Sequence, residues 1–136
     1  MSHSFLNPSE LHDPTQFGYS HTASVPAGTG LVFVAGQYGS GSDGMVVSDI
    51  FAEQVQRAFR NVGVALAAHG LKLNHVVQLR TYVVNLGFEE LGVIAKIIQS
   101  IWDANPPTQT LIGVASLAMP EMRFEVEAVA ALSPLV

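Results

Sequence analysis

Two periodicities of hydrophobic and polar residues divide this chain into predicted strands and predicted helices. Short runs rich in β-branched residues predict strands at 19–25, 31–36, 76–84, 110–115 and 122–131. Apolar positions three and four residues apart predict amphipathic helices at 50–69 and 88–102. The order β-β-α-β-α-β-β, in residues 1–136, predicts a single domain of the α+β class.

Local signals set the ends of these elements. Ser48 or Asp49 can cap the first helix, Gly70 stops it, and the proline pair at 106–107 follows the end of the second. The turn at 26–30, which contains Pro and two Gly, predicts that the first two strands form a hairpin.

Strand parity predicts which side chains share a face of the sheet. Single strands between helices require crossovers, so we expect a mixed sheet with both helices on one face. The polar positions of the middle and last strands, expected on the face without helices, are Gln78, Arg80, Tyr82, Arg123, Glu125 and Glu127. Two interpretations remain open. These side chains hold subunits together as a structural network, or they line a cleft where a carboxylate positions water and an Arg or amide binds an anionic substrate.

Composition and charge narrow the classes of function. Only 12% of the residues are charged, against about 25% in an average soluble domain, so we expect part of the surface to pack against further copies of the chain. The net charge of −5 and the scattered Lys and Arg residues argue against nucleic acid as a partner. Cysteine is absent, which excludes disulfides and thiolate catalysis.

The remaining segments carry weaker signals. Residues 1–16 are polar and predict an extended N-terminal arm in which His12 is solvated, without the features of a signal peptide. No apolar run approaches the ~18 residues of a membrane span, so we expect a soluble, cytoplasmic protein with no membrane partner. The five His are not spaced as metal ligands and predict no metal site, although His21 is a candidate for lining a cleft. The Gly-rich loop at 38–44 lacks the Lys of a phosphate-binding loop, which leaves an ordinary loop or a flexible lid.

Several segments, in their order and spacing, resemble the RidA/YjgF family over nearly the whole chain after the first dozen residues. They are Gly18-Tyr19-Ser20-His21, Val32-Phe33-Val34-Ala35-Gly36-Gln37, residues 54–61, Ala67-Ala68-His69-Gly70-Leu71, residues 76–83, the Pro-x-x-Thr segment at 107–110, and Glu125-Val126-Glu127-Ala128-Val129-Ala130. The resemblance implies a chorismate-mutase-like fold and a homotrimer with clefts between neighbouring subunits. It also implies hydrolysis of reactive enamines and imines to ketones and ammonia, with no metal or organic cofactor.

The resemblance also assigns site positions residue by residue. In the best-studied branch an Arg grips the substrate carboxylate, and that position is Gln109 here. A Ser position of the family is Ala35, and a frequent Cys position is Leu111, whereas the family's Tyr and Glu are present as Tyr19 and Glu125. A neutral amide does not replace the charged, bidentate clamp of a guanidinium, so we expect substrates other than ordinary 2-imino acids.

The first hypothesis is therefore a divergent enzyme that adds water to, or deaminates, a small enamine, imine or related carbonyl compound in an intersubunit cleft. Glu125 would orient or activate water, Tyr19 would hydrogen-bond the substrate, and Gln109 would contact a group less charged than a carboxylate. Arg80 would either supply a displaced positive charge or be neutralised by Glu125 or Glu127, and the second is preferred. The alternative is a non-enzymatic protein with the same trimer that binds a small metabolite or acts as an interaction protein. A ribonuclease or translation inhibitor is the third and least favoured, because the chain shows no basic patch.

Overall fold

The computed structural model describes residues 2–132, and its elements follow the predicted order with one additional strand near the N-terminus. The elements are β1 (Ser4–Leu6), β2 (Thr22–Ser24), β3 (Leu31–Tyr38), α1 (Phe51–Ala67), β4 (Val76–Val84), α2 (Phe88–Trp102), β5 (Thr108–Val114) and β6 (Phe124–Ala131). The bounds predicted for β4 and α2 are confirmed. Strand β5 begins two residues earlier than predicted, and β6 begins two residues later.

Both helices form because their apolar residues fall on one stripe that the sheet can cover. In α1 the buried stripe is Val55, Phe59, Val62 and Leu66, each at most 1% exposed. In α2 the buried residues Ile94, Ile98 and Trp102 join the same core. Full burial of one such side chain contributes about 1.5–3 kcal/mol to folding, so these stripes determine how the helices lie on the sheet.

The predicted cap of α1 is wrong, although the predicted stop is confirmed. Ile50 is the N-cap residue, and no side chain caps the helix. Ser48 instead accepts a hydrogen bond from the backbone N–H of Ile50 at 3.0 Å, which closes a turn just before the helix begins. Gly70 follows the helix with a φ of +71°, a conformation that favours glycine.

The main sheet is mixed, as predicted, with the strand order β3-β6-β4-β5. Strand β4 pairs with β5 in parallel, through the crossover helix α2, and β6 lies antiparallel to both β3 and β4. The core cluster contains residues of both helices and of strands β3, β4 and β6, including Leu79, Val83 and Phe124. The two helices therefore cover one face of this sheet, and the other face is left uncovered in the single chain.

The predicted hairpin between 19–25 and 31–36 is wrong. Strand β2 pairs antiparallel with β1, so the predicted arm contributes a strand of its own. Ser20 forms a bridge with Thr108 at the β5 edge, whereas β3 lies at the opposite edge of the sheet. Because the chain crosses from one edge to the other between residues 20 and 31, the two segments cannot pair with each other.

The predicted alternation on β4 and β6 is confirmed, with one exception. Along β6, Phe124, Val126 and Ala128 are buried, while Glu125 and Glu127 are half-buried on the other face. Arg123 does not join them.

Arg123 lies before β6 begins, so strand parity does not govern its side chain. Its Nη2 donates to the carbonyl oxygens of Val84 and Asn85, at 3.1 and 3.2 Å. The same nitrogen is 3.6 Å from a carboxylate oxygen of Glu90, and the guanidinium lies 4.8 Å from the centroid of the Phe51 ring. Arg123 therefore ties α1, the β4–α2 connection and α2 together, and it leaves Arg80 as the Arg of the polar set on the uncovered face.

Candidate functional site

A large cleft, of about 780 Å³, opens where residues 19–31 pass the ends of β4, β5 and β6. Tyr19 and Gln109, both predicted as site residues, line it, and so does His21. Ser20 fixes this segment to the sheet. Its N–H donates to the carbonyl oxygen of Pro107 at 3.0 Å, and its hydroxyl donates to that of Pro106 at 2.6 Å. The cleft wall is therefore held by hydrogen bonds and by the parallel bridge to β5.

Gln109 is oriented by a buried partner. It lies opposite Leu79 in the β4–β5 ladder, and its Oε1 accepts a hydrogen bond from the hydroxyl of Thr81 at 2.7 Å. Thr81 is fully buried on the helix side of the sheet. The side-chain carbonyl of Gln109 is thus occupied, while its Nε2 makes no hydrogen bond within residues 2–132. The amide offers two N–H donors and no charge to a ligand.

The hydroxyl of Tyr19 is held by a residue that sequence reasoning missed. Nε2 of His12 lies 2.6 Å from the Tyr19 oxygen, and the carbonyl oxygen of His12 lies 2.8 Å from Nε2 of His21. The ring centroids of the three residues are 4.9 to 6.1 Å apart, in edge-to-face arrangements. His12 is exposed, as expected, but its ring also contacts the Tyr19 hydroxyl, which the sequence did not predict. The clustering of aromatic and His residues at 12, 17, 19 and 21 was the signal available in the sequence.

The uncovered face of the sheet carries the second group of predicted residues. Glu125 lies opposite Tyr82, and Glu127 lies opposite Arg80. The hydroxyl of Tyr82 donates to Oε1 of Glu127 at 2.5 Å, and this hydrogen bond raises the pKa of Tyr82. Burial raises the pKa of Glu125, and the neighbouring charge of Glu127 raises it further.

Glycine at position 36 makes room for Glu125. A Cβ atom there would lie 2.8 Å from the carboxyl carbon of Glu125, so only glycine allows the carboxyl to rest against β3. The register between β3 and β6 shifts between Val34 and Gln37, at the same place. The bulge and the glycine together determine where the Glu125 carboxyl lies.

Arg80 is exposed, and although it lies opposite Glu127 in the ladder, its guanidinium is not within 4.0 Å of the carboxylate oxygens of Glu125 or Glu127. The one ion pair within 4.0 Å among residues 2–132 joins Arg123 to Glu90, so the preferred pairing of Arg80 with Glu125 or Glu127 does not form in this chain. Arg80 and Glu127 instead line a small hollow of about 150 Å³ together with Phe33. The guanidinium therefore remains available to a ligand or to another subunit.

The predicted site residues thus form two groups rather than one. Tyr19 and Gln109 share the large cleft, and Arg80 lines the small hollow. Glu125 lines neither of these cavities. Ala35 is exposed on β3, and Leu111 packs against the core on the helix side. One chain by itself does not bring Glu125 to the cleft that holds Tyr19 and Gln109.

The described residues form neither a metal site nor a membrane-spanning helix. Within 2–132, no three His, Asp or Glu side chains are arranged to hold a metal ion. Neither α1 nor α2 has the length and apolar character that crossing a bilayer requires.

The chain is similar in sequence and in structure to several known proteins. The family model described as Endoribonuclease L-PSP matches residues 12–132. The human 2-iminobutanoate/2-iminopropanoate deaminase is 31% identical over 105 residues, which are 76% of this chain and 74% of that protein. The RutC family protein YjgH of Escherichia coli (strain K12) is 32% identical over 115 residues, 82% of each chain. The crystal structure of YyfB from Yersinia pestis, of the conserved Rid protein family and of unknown function, superimposes with a TM-score of 0.90 at 32% identity, covering 97% of this chain and all of that one.

Proposed function

The chain belongs to the RidA/YjgF family, which the Endoribonuclease L-PSP model describes, and from this premise we propose that it hydrolyses small, uncharged imines or enamines. The observation that carries the proposal is that Tyr19 and Gln109 line the same cleft of about 780 Å³. Such a cleft is large enough for a small metabolite. Both groups can form hydrogen bonds with the polar end of a substrate, and neither carries a positive charge.

Subunit assembly completes the site in this proposal. The uncovered sheet face exposes Leu31, Phe33 and Ile112, which are 45%, 74% and 45% accessible. Large apolar side chains on a sheet face favour burial against another copy of the chain. A homotrimer that packs through this face would bring the Glu125 carboxyl of the sheet surface into an intersubunit cleft with Tyr19 and Gln109.

The chemistry assigned to this cleft is water addition to a C=N bond. The Glu125 carboxylate takes a proton from water as the water oxygen bonds to the imine carbon. The π electrons move to nitrogen, which receives this proton back from the Glu125 carboxyl. Glu125 then takes the hydroxyl proton of the carbinolamine and passes it to the amine nitrogen, as the C–N bond breaks, the C=O bond forms and ammonia leaves. A half-buried carboxyl with a raised pKa suits these proton transfers, because general acid–base catalysis is most efficient with a pKa near the working pH.

Gln109 decides the substrate class. A guanidinium would pair with a substrate carboxylate through two charged hydrogen bonds, whereas the amide of Gln109 offers neutral donors and is held by Thr81. Binding a carboxylate here would remove its hydration without supplying a counter-charge. We therefore assign as substrates the imines derived from amines, amides or other neutral compounds, in preference to 2-imino acids.

The test compares two imine sources. An amine oxidase supplies uncharged imines from primary amines, an amino-acid oxidase supplies 2-imino acids, and the loss of each imine is followed with and without the protein. We expect the wild type to accelerate hydrolysis of the uncharged imines only. Gln109→Arg should shift the activity toward 2-imino acids, and Glu125→Gln should lower the rate by about 100-fold, the lower end of the usual contribution of a general base.

A matched control separates catalysis from general charge loss. Glu53→Gln removes one exposed carboxylate from the first turn of α1 and should leave the rate unchanged. Full activity of Glu125→Gln would show that Glu125 is not the base. Inertness of the wild type toward both imine classes would overturn the enzymatic proposal.

A binding protein without catalysis is the second candidate. It is favoured by one observation, the separation of Glu125 from the large cleft within the chain. In that case neutral metabolites would bind to the wild type and to Glu125→Gln with equal affinity in calorimetric titrations, and no imine would be consumed.

A further inference from the structure

A second pocket, of about 540 Å³, lies between α1 and the Gly-rich loop that follows β3. It shares no lining residue with the large cleft. Its polar lining residues are Gln37, Ser40, Ser42, Arg57, Arg60 and Asn61. None of its lining residues is acidic. The pocket is therefore rich in hydrogen-bond donors and carries positive charge.

The loop that forms one wall is tied down rather than free to act as a lid. Nδ2 of Asn61 donates to the carbonyl oxygens of Tyr38 and Ser40, both at 3.0 Å. Nε of Arg57 donates to the same Ser40 oxygen at 3.1 Å. Gly39 lies so close to α1 that a Cβ atom there would be 2.8 Å from the Cα of Gln54. The wall is thus pre-formed, which lowers the entropic cost of binding a ligand.

The two arginines are placed for one ligand. Arg57 and Arg60 are three residues apart on α1 and so lie on the same side of the helix. They are two of the six Lys and Arg residues in the chain. Neither forms an ion pair within 4.0 Å in the described part of the chain. Asp43, in the loop after β3, accepts a hydrogen bond from the backbone N–H of Met45.

We propose that this pocket binds the phosphate group of a small phosphorylated metabolite. Guanidinium groups match the geometry of phosphate oxygens, and the neighbouring hydroxyl and amide groups can donate further hydrogen bonds. The Nε of Arg57 is occupied by Ser40, which aligns the guanidinium while leaving its terminal nitrogens for the ligand. The volume suits a ligand the size of a sugar phosphate. The net charge of −5 disfavours a long polyanion such as RNA.

Calorimetric titration with ribose 5-phosphate, at fixed ionic strength, tests the proposal. We expect one binding site per chain, competition by inorganic phosphate, and no binding of neutral ribose. Arg60→Gln should weaken binding by about tenfold, since a hydrogen bond to a charged group is lost. Arg60 makes no hydrogen bond within residues 2–132, so this variant should keep the melting temperature of the free protein. Lys96→Gln removes an equal charge from an exposed position on α2, and this variant should bind ribose 5-phosphate as the wild type does.

Three results would overturn the assignment. They are equal affinity of Arg60→Gln and wild type, equal binding of ribose and ribose 5-phosphate, or binding of a single-stranded RNA oligonucleotide without binding of either phosphate probe. The test is independent of imine hydrolysis, so failure of the proposed enzymatic function would leave this site standing.

Discussion

Thr81 and Gln109 show how one buried hydroxyl can set the chemistry of a cleft. The Thr81 side chain is fully buried, and its partner is the Gln109 carbonyl oxygen. A residue at position 109 must therefore accept the hydrogen bond of the buried Thr81 hydroxyl, besides any contact with the proposed ligand. An arginine there would leave the buried hydroxyl without its acceptor.

A double-mutant cycle measures this coupling. Gln109→Leu leaves the Thr81 hydroxyl unpaired and should lower the free energy of unfolding by about 1–3 kcal/mol. Thr81→Val removes the hydroxyl as well, so the double variant should be more stable than the sum of the single effects by about 1 kcal/mol. Urea unfolding of the four proteins gives the coupling. Strictly additive losses of unfolding free energy would contradict a direct hydrogen bond between Thr81 and Gln109.

The raised pKa of Glu125 predicts that the stability of the protein depends on pH. Burial raises the pKa of Glu125 in the folded state, so the folded protein favours the protonated carboxyl. The protonated carboxyl therefore contributes fully to the stability of the protein below its unfolded pKa of about 4.3, and this contribution is lost as pH rises through the folded pKa. Glu125→Gln cannot ionise and escapes this loss. Its melting temperature relative to the wild type should therefore rise between pH 4 and pH 7. A difference that is constant with pH would contradict the raised pKa, and Glu10→Gln controls for the loss of one negative charge from the exposed arm.

At the scale of elements, close approach of the backbone decides how loop and helix fit together. Gly39 and Gly92 provide a matched pair, since both become alanine by adding one methyl group. The methyl group at 39 would meet the backbone of Gln54 at 2.8 Å, whereas the methyl group at 92 would meet no atom within 4 Å. The two alanine substitutions should therefore change the free energy of unfolding in opposite directions.

Gly39→Ala should destabilise the protein by about 1–3 kcal/mol, because the loop must shift away from α1. Gly92→Ala should stabilise it by about 0.5–1 kcal/mol, since alanine is the better residue inside α2. Thermal unfolding measures both. Loss of stability in both variants would show that the contact at Gly39 is not the cause.

At the scale of the whole molecule, the uncovered sheet face predicts the oligomeric state. Phe33, on β3, is 74% accessible in the single chain and would be buried in the proposed trimer. Phe33→Arg places a charge in that interface and should convert trimers of the 14.5 kDa chain into monomers, as measured by light scattering after gel filtration. Val64→Arg, on the solvent side of α1, should keep the mass of the wild type. A monomeric wild type would refute the trimer.

Periodicity in the sequence determined the two helices, the bounds of β4 and α2, and the alternation of β4 and β6, because these depend on neighbours within a few residues. The class of the fold and the membership of the family followed from the same segments. Tertiary structure alone decided that β2 pairs with β1, that Arg123 turns toward Glu90, and that His12 holds Tyr19. Each of these joins residues whose partner is set by the path of the chain in space. Local pattern determines which face a side chain occupies, and only long-range packing determines which group it meets there.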